Sequence, residues 1–379
     1  VDETRIDTSP DIPHLHVRFR IVTPMFLGDA NQQQSVLRVP SIKGSLRHWY
    51  RAVHPGFADW LELDRKRSTH NHKIKGTREE VLFGGAGSHT GQSRVIIRLL
   101  THLEHSAFNS TLASLHHFTH SLSKRNYLKE DQSFELQFAM RHRHREDPQD
   151  WPGLLASVWL LAHVGGLGTR TRRGLGSITL ESWKVEHAPE AARLKEALPL
   201  PDGAETPEMW LNRFCDGAKM IRSWLHATDT PFPPGKHTRL DRNTSVWLGP
   251  TPHSDCFEAL RDAHDLMNRF YQHYPEHRIL FGLPARVKGK QIIAVDEEKY
   301  EQPWREGRMP SPVRLRIART AEGYVPQFTI QSVPFPKLAS KEGNRKVWWR
   351  DWNEDHLQQA LKSFTGELAF RKFLRRGWE

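Results

Sequence analysis

Cysteine is nearly absent: Cys215 and Cys256 are the only two in 379 residues, and they form no Cys-x-x-Cys pair. That excludes a disulfide framework and a cysteine zinc site, and it fits a reducing, intracellular compartment. Long hydrophobic runs are missing as well, so no segment reaches the ~20 apolar residues of a membrane-spanning helix. The first residues, Val1-Asp2-Glu3-Thr4, are acidic and polar, unlike a secretory signal, so the expected location is the cytoplasm. No Gly-Lys-Ser/Thr occurs, which rules out a Walker phosphate loop, and no His-Glu-x-x-His supports a zinc protease. Hydrophobic residues make up only 37%, enough for two modest cores in a chain whose length suggests two domains.

Positive charge and tryptophan are what the chain has in excess. Lys and Arg total 55 against 44 Asp and Glu, a net charge of +11, which favours a polyanionic partner. The 13 tryptophans can serve cores, interfaces or base stacking. The stretch 165–177 brackets Arg170, Arg172 and Arg173 with five glycines and two threonines. Glycine permits sharp turns and close approach of a ligand, and arginine is a planar fork suited to phosphate. An apolar run, Trp151 to Val164, precedes this loop and a strand-like run, Ile178 to Val185, follows it. A dinucleotide fingerprint needs the opposite order, strand before loop and helix after. Two readings stay open. One is a loop that grips a polyanion through Gly168, Thr169, Arg170, Thr171, Arg172 and Arg173, helped by backbone amides. The other is a helix C-cap and turn with solvated arginines.

Along the chain, His14 to Ile21 alternates, with Leu15, Val17, Phe19 and Ile21 on one face and His14, His16, Arg18 and Arg20 on the other. Period two with one apolar face predicts a half-buried strand whose basic side is solvated or carries a ligand. Pro40 to Val53 reads as a helix with Pro and Ser in its first turn. Its apolar stripe is Ile42, Leu46, Trp49 and Val53, and Lys43, Arg47 and Arg51 form a second stripe a quarter-turn away. Gly44 weakens this helix by roughly 1 kcal/mol relative to Ala, which asks for a compensating close approach of a ligand or another segment. Trp60 to Glu80 reads as a charged, exposed insertion, and Val81 to Gly85 as a short glycine loop. Ser93 to Leu103 reads as a strand and Phe108 to Leu122 as a helix. Ser133 to Arg141 is a second alternating strand, ending in the basic run Arg141, His142, Arg143, His144 and Arg145. A buried helix, Pro152 to Val164, and the strand Ile178 to Val185 complete the order strand-helix-strand-strand-helix-strand. That order is the ferredoxin-like (RRM-like) α+β arrangement, shared with common RNA-binding modules.

Residues 1–188 are thus expected to form one ferredoxin-like domain, 189–206 a linker, and 207–379 a helical plus ferredoxin-like domain. Helices are expected over Pro207 to Ala227, Asp255 to His273 and, at the end, Glu354 to Arg376. Leu280-Phe281-Gly282 matches Leu82-Phe83-Gly84, and Ser311 to Ile317 matches Ser93 to Leu99. The second domain therefore reads as a degenerate copy of the first.

These residues resemble a known family. Thr23-Pro24-Met25-Phe26-Leu27-Gly28 followed by Pro40-Ser41-Ile42-Lys43-Gly44 and Arg47, His48, Trp49, Tyr50, Arg51 and Ala52 is similar to the N-terminal signature of RAMP-superfamily proteins. The particular likeness is to the first-numbered Cmr subunits of type III-B CRISPR effectors. Leu82-Phe83-Gly84 with Gly91 to Val95, the glycine loop, and Phe281-Gly282-Leu283-Pro284 with Ser311-Pro312 resemble further blocks. His48 departs from a run of aromatics common in the family, so a stacking role there does not carry over. The resemblance implies two ferredoxin-like RAMP domains in a non-catalytic subunit at the head of the effector, near the 3′ end of the guide RNA. Its implied partners are guide RNA, target RNA and other Cmr subunits.

The candidate RNA-binding residues are Lys43, Gly44, Arg47 and Arg51 on the first helix, the glycine loop from Gly168 to Arg173, and Arg141, Arg143 and Arg145. No cofactor or metal site is expected: the arginines around His142 and His144 make a cation site unfavourable, and His116, His117 and His120 read as structural. A guide-processing RAMP endoribonuclease is the enzymatic alternative, with His16, His48 or His142 as general base and arginines at the scissile phosphate. A basic scaffold that touches protein only is the third reading, and salt dependence separates it from the first.

Overall fold

The computed structural model describes residues 12–378 apart from 29–33, 68–69, 87–91, 116–121, 124, 142–146, 228–229, 233–236, 288, 296–305, 343–344 and 350–351. In the first half, strand β1 (His14–Ile21) leads to helix α1 (Val39–Val53), the hairpin β2 (Trp60–Arg67) and β3 (His70–Thr77), and the short helix α2 (Arg78–Phe83). Strands β4 (Val95–Leu99) and β5 (Ser133–Met140), helix α3 (Asp150–His163) and strand β6 (Ile178–Glu186) follow. The sheet order is β4-β5-β1-β6, with every pairing antiparallel. That is the ferredoxin-like order the element sequence predicts.

The alternation of β1 is realised as read. Leu15, Val17, Phe19 and Ile21 are each at most 2% exposed, and the register pairs Leu15 with Phe138, Val17 with Leu136 and Phe19 with Phe134. Helices α1 and α3 cover this face through Ile42, Leu46, Trp49, Leu154, Val158 and Leu161. Thirteen of the fourteen residues of α3 are buried, which explains why its sequence shows an apolar run rather than a stripe.

Helices α4 (Pro189–Ala197) and α5 (Pro207–Trp224) lead into the second half. There β7 (Ser245–Leu248), α6 (Cys256–His273), β8 (Val313–Thr320), β9 (Gly323–Ile330), α7 (Glu354–Phe370) and β10 (Leu374–Gly377) repeat the scheme. The sheet order β8-β9-β7-β10 is that of the first half, strand for strand. The short sequence matches fall at equivalent places. Ser93 Oγ donates to the carbonyls of Leu82 and Val95, and Ser311 Oγ does the same to Leu280 and Val313. Gly84 and Gly282 both sit at positive φ, +87° and +98°, directly against those serines.

Several expectations change. The charged stretch from Trp60 onward is a two-stranded hairpin closed on α2 by a capping box of Thr77 and Glu80. Val81 to Phe83 belong to that helix. The strand expected over Ser93–Leu103 is confined to Val95–Leu99, and within Phe108–Leu122 the described helix is Ser110–Ser114. The terminal helix stops at Phe370, because the chain turns at Lys372 (φ +60°) to supply β10. The 189–206 stretch carries α4, with Ala191, Leu198 and Ala204 buried. One hydrophobic core runs through both halves, joining Trp159 to Trp210, Phe214, Val246, Val325 and Trp378.

Candidate nucleic-acid interface

Helix α1 begins with few backbone donors to spare, since Pro40 has no N–H and Ser41 and Ile42 both donate to the carbonyl of Arg38. Its N-cap is Arg38, which makes no side-chain cap, and its first turn holds no acid. A helix start with no acidic residue favours anions through its dipole. Three residues of the basic stripe follow, and the structure divides them. Arg47 Nε meets Glu79 Oε1 at 2.5 Å and Arg51 Nε meets Glu79 Oε2 at 2.9 Å. Arg47 also donates to the carbonyl of Gly84 at 3.0 Å. Glu79, nearly buried on α2, thus offsets one of the two charges and fixes both side chains against α1. Neither guanidinium is fully enclosed, at 28% and 38% exposure.

Lys43 has cations for neighbours. Burial, then Arg47 and Arg141, push its ammonium below the ordinary lysine range. Arg141 reaches this place from the end of β5 and donates to the side chain of Gln92. Positive charge is therefore crowded where α1 meets the end of β5, which raises the local potential for an anion. Gly44 lies beside Lys43 and is exposed, and a Cβ built there meets nothing within 4 Å. No other part of the described chain uses the gap that this glycine leaves.

The glycine loop behaves differently. A Cβ at Gly168 (φ +93°) would lie 2.4 Å from the carbonyl of Phe26, and one at Gly176 (φ +66°) 2.0 Å from that of Leu167. These glycines serve close packing within the chain, not the approach of a ligand. The backbone N–H of Thr169 donates to Phe26 and that of Arg173 to Arg170, so neither amide is held out for an anion. Arg172 donates to the carbonyl of Ser311 at 2.6 Å, and burial pushes its guanidinium down to about 10. Arg173 donates to Tyr271 Oη and to the carbonyl of Phe281, with its guanidinium 5.4 Å from the Phe281 ring. Backbone bonds from Gly174 to Leu315 and from Leu315 to Arg172 run alongside. Arg172 and Arg173 are expected to contact phosphate; in the structure both guanidinia bond to the second half of the chain. Arg170, at φ +65°, is displaced below the usual arginine range by burial and then by Arg173. Thr171 lends its carbonyl to Arg314 at 3.4 Å. Arg143 and Arg145 lie outside the described residues.

Sequence reading missed Arg314 and Arg316. Arg314 lies 5.1 Å above the Trp49 ring. Arg316 is fully buried and donates to the carbonyls of His163 and Ile178 and to the side chains of Gln327 and Asp202. The signal that could have found them was two arginines at alternate positions in an otherwise apolar strand, Val313 to Ile317. Glu79 was missed too, although the Thr77–Glu80 capping box announced its helix.

The histidines offered as general bases do not meet. His48 sits on α1 beside Arg314, Arg172, Arg51 and His237; burial first, then those charges, hold it well below the ordinary histidine range. His16 lies on the opposite, outer face of the sheet, and His142 is outside the described residues. That outer face is also unlike an RRM stacking platform, which needs exposed aromatics. Arg18 pairs with Glu181 and Glu135, and Arg20 with Glu181. Burial raises the Glu181 carboxyl, but hydrogen bonds from Ser133, Arg20 and Arg18 overcome it and leave the group below the usual range. Trp183 is only 7% exposed. No helix among the described residues is long and apolar enough to cross a membrane.

Comparison with known proteins adds an independent line. Residues 18–179 match the family model of the RAMP superfamily. A crystal structure of Cmr1 from Pyrococcus furiosus superposes with a TM-score of 0.57 at 16% identity, covering 97% of this chain and 99% of that one. A chain of the type III-B Cmr-beta complex bound to cognate target RNA gives 0.56 at 11% identity, covering 94% and 100%. A second state of that complex, with AMPPnP and ssDNA present, gives 0.53 at 12%, covering 93% and 99%. A search of curated proteins by sequence finds no match.

Proposed function

We propose, for a chain whose residues 18–179 match the RAMP-superfamily model and whose fold follows Cmr1 along nearly its whole length, that it is a RAMP-superfamily protein and a non-catalytic, RNA-binding subunit of a type III-B CRISPR effector. In this reading it sits at the head of the complex near the 3′ end of the guide, contacts guide and target RNA and neighbouring RAMP subunits, and serves antiviral defence. The observation that carries the reading is Gly44: an exposed glycine inside a helix, met by nothing within 4 Å among the described residues, beside the cations Lys43, Arg47 and Arg141. A sugar–phosphate backbone passing over α1 would fill that gap and meet those charges. Arg51, four residues after Arg47 on α1, extends the same surface, and Arg170 would add a contact from the loop that Arg172 and Arg173 fix. Interactions of this kind position RNA without reading its sequence.

The test is the salt dependence of RNA binding by the purified protein and by the assembled complex. Lys43→Ala with Arg141→Ala should weaken binding and reduce the slope of log K against log salt by about one to two, roughly one for each phosphate no longer neutralised. A slope near zero for the wild type in both settings would favour the protein-only scaffold. Specific cleavage of precursor RNA in EDTA would favour the endoribonuclease, which the separation of His16 from His48 argues against.

A further inference from the structure

We propose that His14, His16 and Glu186 form a binding site for a divalent transition-metal ion of the zinc type, at the edge of the first sheet. His14 and His16 are two apart on β1 and so project to the same face. The antiparallel register sets Glu186 of β6 opposite His14. One ligand atom from each residue lies within 4.8 Å of the others, and among the described residues no other group of three His, Cys, Asp or Glu side chains does this. Two imidazoles and one carboxylate are a zinc-type donor set, leaving a fourth position for water.

The hydrogen bonding at His14 makes the case more specific. Its Nδ1 lies 2.8 Å from the carbonyl of Ile12, so Nδ1 carries a hydrogen and donates it. This orienting bond is the one that metal-bound histidines commonly make. Nε2 then presents a lone pair, yet it stands 2.7 Å from Glu186 Oε2. Two acceptors that close need a cation between them, either a proton or a metal. His16 Nε2 approaches the same oxygen at 3.7 Å. The two spacings straddle the ~3.4 Å edge of a tetrahedron with ~2.1 Å bonds. A single proton would satisfy His14, and Gln137 Nε2, 3.5 Å from His16 Nε2, competes for the second ring; a metal would hold both rings on one carboxylate oxygen.

Lys184 is the competitor. Its ammonium meets Glu186 Oε1 at 2.5 Å but is 73% exposed, and such surface pairs are weak. The other carboxylate oxygen faces the two histidines. Strands β1 and β6, which carry the ligands, are paired from His14–Glu186 to Ile21–Ile178, so little ordering is left for the ion to impose. His16 also lines a cavity of about 410 Å³ over the sheet, with Arg18, Glu135, Ser182 and Lys184. An ion here would lie at the rim of that cavity.

The experiment compares metal-stripped wild type with His14→Gln/His16→Gln, titrating each with Co²⁺ and Zn²⁺ at neutral pH. The wild type is expected to bind one equivalent more than the variant, with the visible bands of four-coordinate cobalt in the wild type only. Glu186→Gln should weaken binding at least tenfold. Lys184→Ala, outside the ligand set, should tighten it several-fold, which keeps the proposal testable should the histidine variant fail to fold. Equal stoichiometry in wild type and double variant, or indifference to both Glu186→Gln and Lys184→Ala, would show that a proton alone bridges the pair.

Discussion

The two halves share one topology and one pair of serine-glycine locks, yet they differ at two equivalent places. Helix α1 starts on Arg38 without a side-chain cap and carries three cations at four-residue spacing. Its counterpart α6 is capped by Asp255, whose carboxylate accepts from Phe257 and Glu258, and its exposed positions alternate in sign, Arg261, Asp265, Arg269. The connection after the second helix differs as well. In the first half, α3 and β6 are joined by fourteen residues that reach across to β8; in the second, α7 and β10 are joined by three. A duplicated frame has thus kept its core and diverged at its rims. One helix start has become a basic surface, and one loop has become the seam between halves.

The sharpest way to break this comparison is to change equivalent strand positions. Arg316→Met in β8 leaves Asp202 buried without its guanidinium and should cost about 3–5 kcal/mol in urea denaturation. Arg98→Met, at the matching half-exposed position of β4, should stay within about 0.5 kcal/mol. Similar losses at the two sites would mean the halves are not asymmetric in this way. Acid provides the next probe. Burial pushes His163 from 6.5 down to about 4, and its carbonyl accepts from Arg316 and Gln327 at the seam. Because the folded pKa is depressed, stability is full above pH 6.5. It falls between pH 6.5 and about 4, where only the unfolded chain takes up the proton, by at most ~1.4 kcal/mol per pH unit for this group. His163→Leu should flatten that limb of the stability profile, and an unchanged limb would place the acid sensitivity elsewhere. The smallest effect separates the helices. Gly44 in α1 and Gly366 in α7 both have open space for a Cβ, so Gly44→Ala and Gly366→Ala should each stabilise by up to about 1 kcal/mol. Only Gly44→Ala should weaken RNA binding, by several-fold; equal affinities would remove the argument from Gly44.

Where one face of an element is buried, the sequence made it readable. The alternation of β1 and β5 and the apolar run of α3 gave their strands and helix to within a few residues, because burial leaves a period in the residues themselves. The second copy was visible through Leu-Phe-Gly and Ser, the residues that form its lock, while its remaining surface had drifted. The hairpin after Trp60 was not visible, since Glu62 to Arg67 shows no apolar period. Nor was β10, whose Leu-Arg-Arg-Gly could as well end a helix. At the site, Lys43, Gly44, Arg47 and Arg141 were read from spacing and do gather in space. Arg172 and Arg173 were read from the same kind of pattern and went elsewhere. An arginine that donates to a carbonyl some 140 residues away has the same local sequence as one that donates to phosphate. The cluster of His14, His16 and Glu186 depends on strand register, which only pairing supplies.

The backbone bonds between the glycine loop and Leu315 bear on how the protein is made. Strand β8 lies at the border of its sheet, and an unpaired border invites another copy of the chain to add a strand. The loop occupies that border partway along β8. During synthesis the glycine loop emerges well over a hundred residues before β8 does, and domains generally fold as units, N-terminal first. Pairing of the late strand with this loop on its own chain would compete with strand addition between nascent chains.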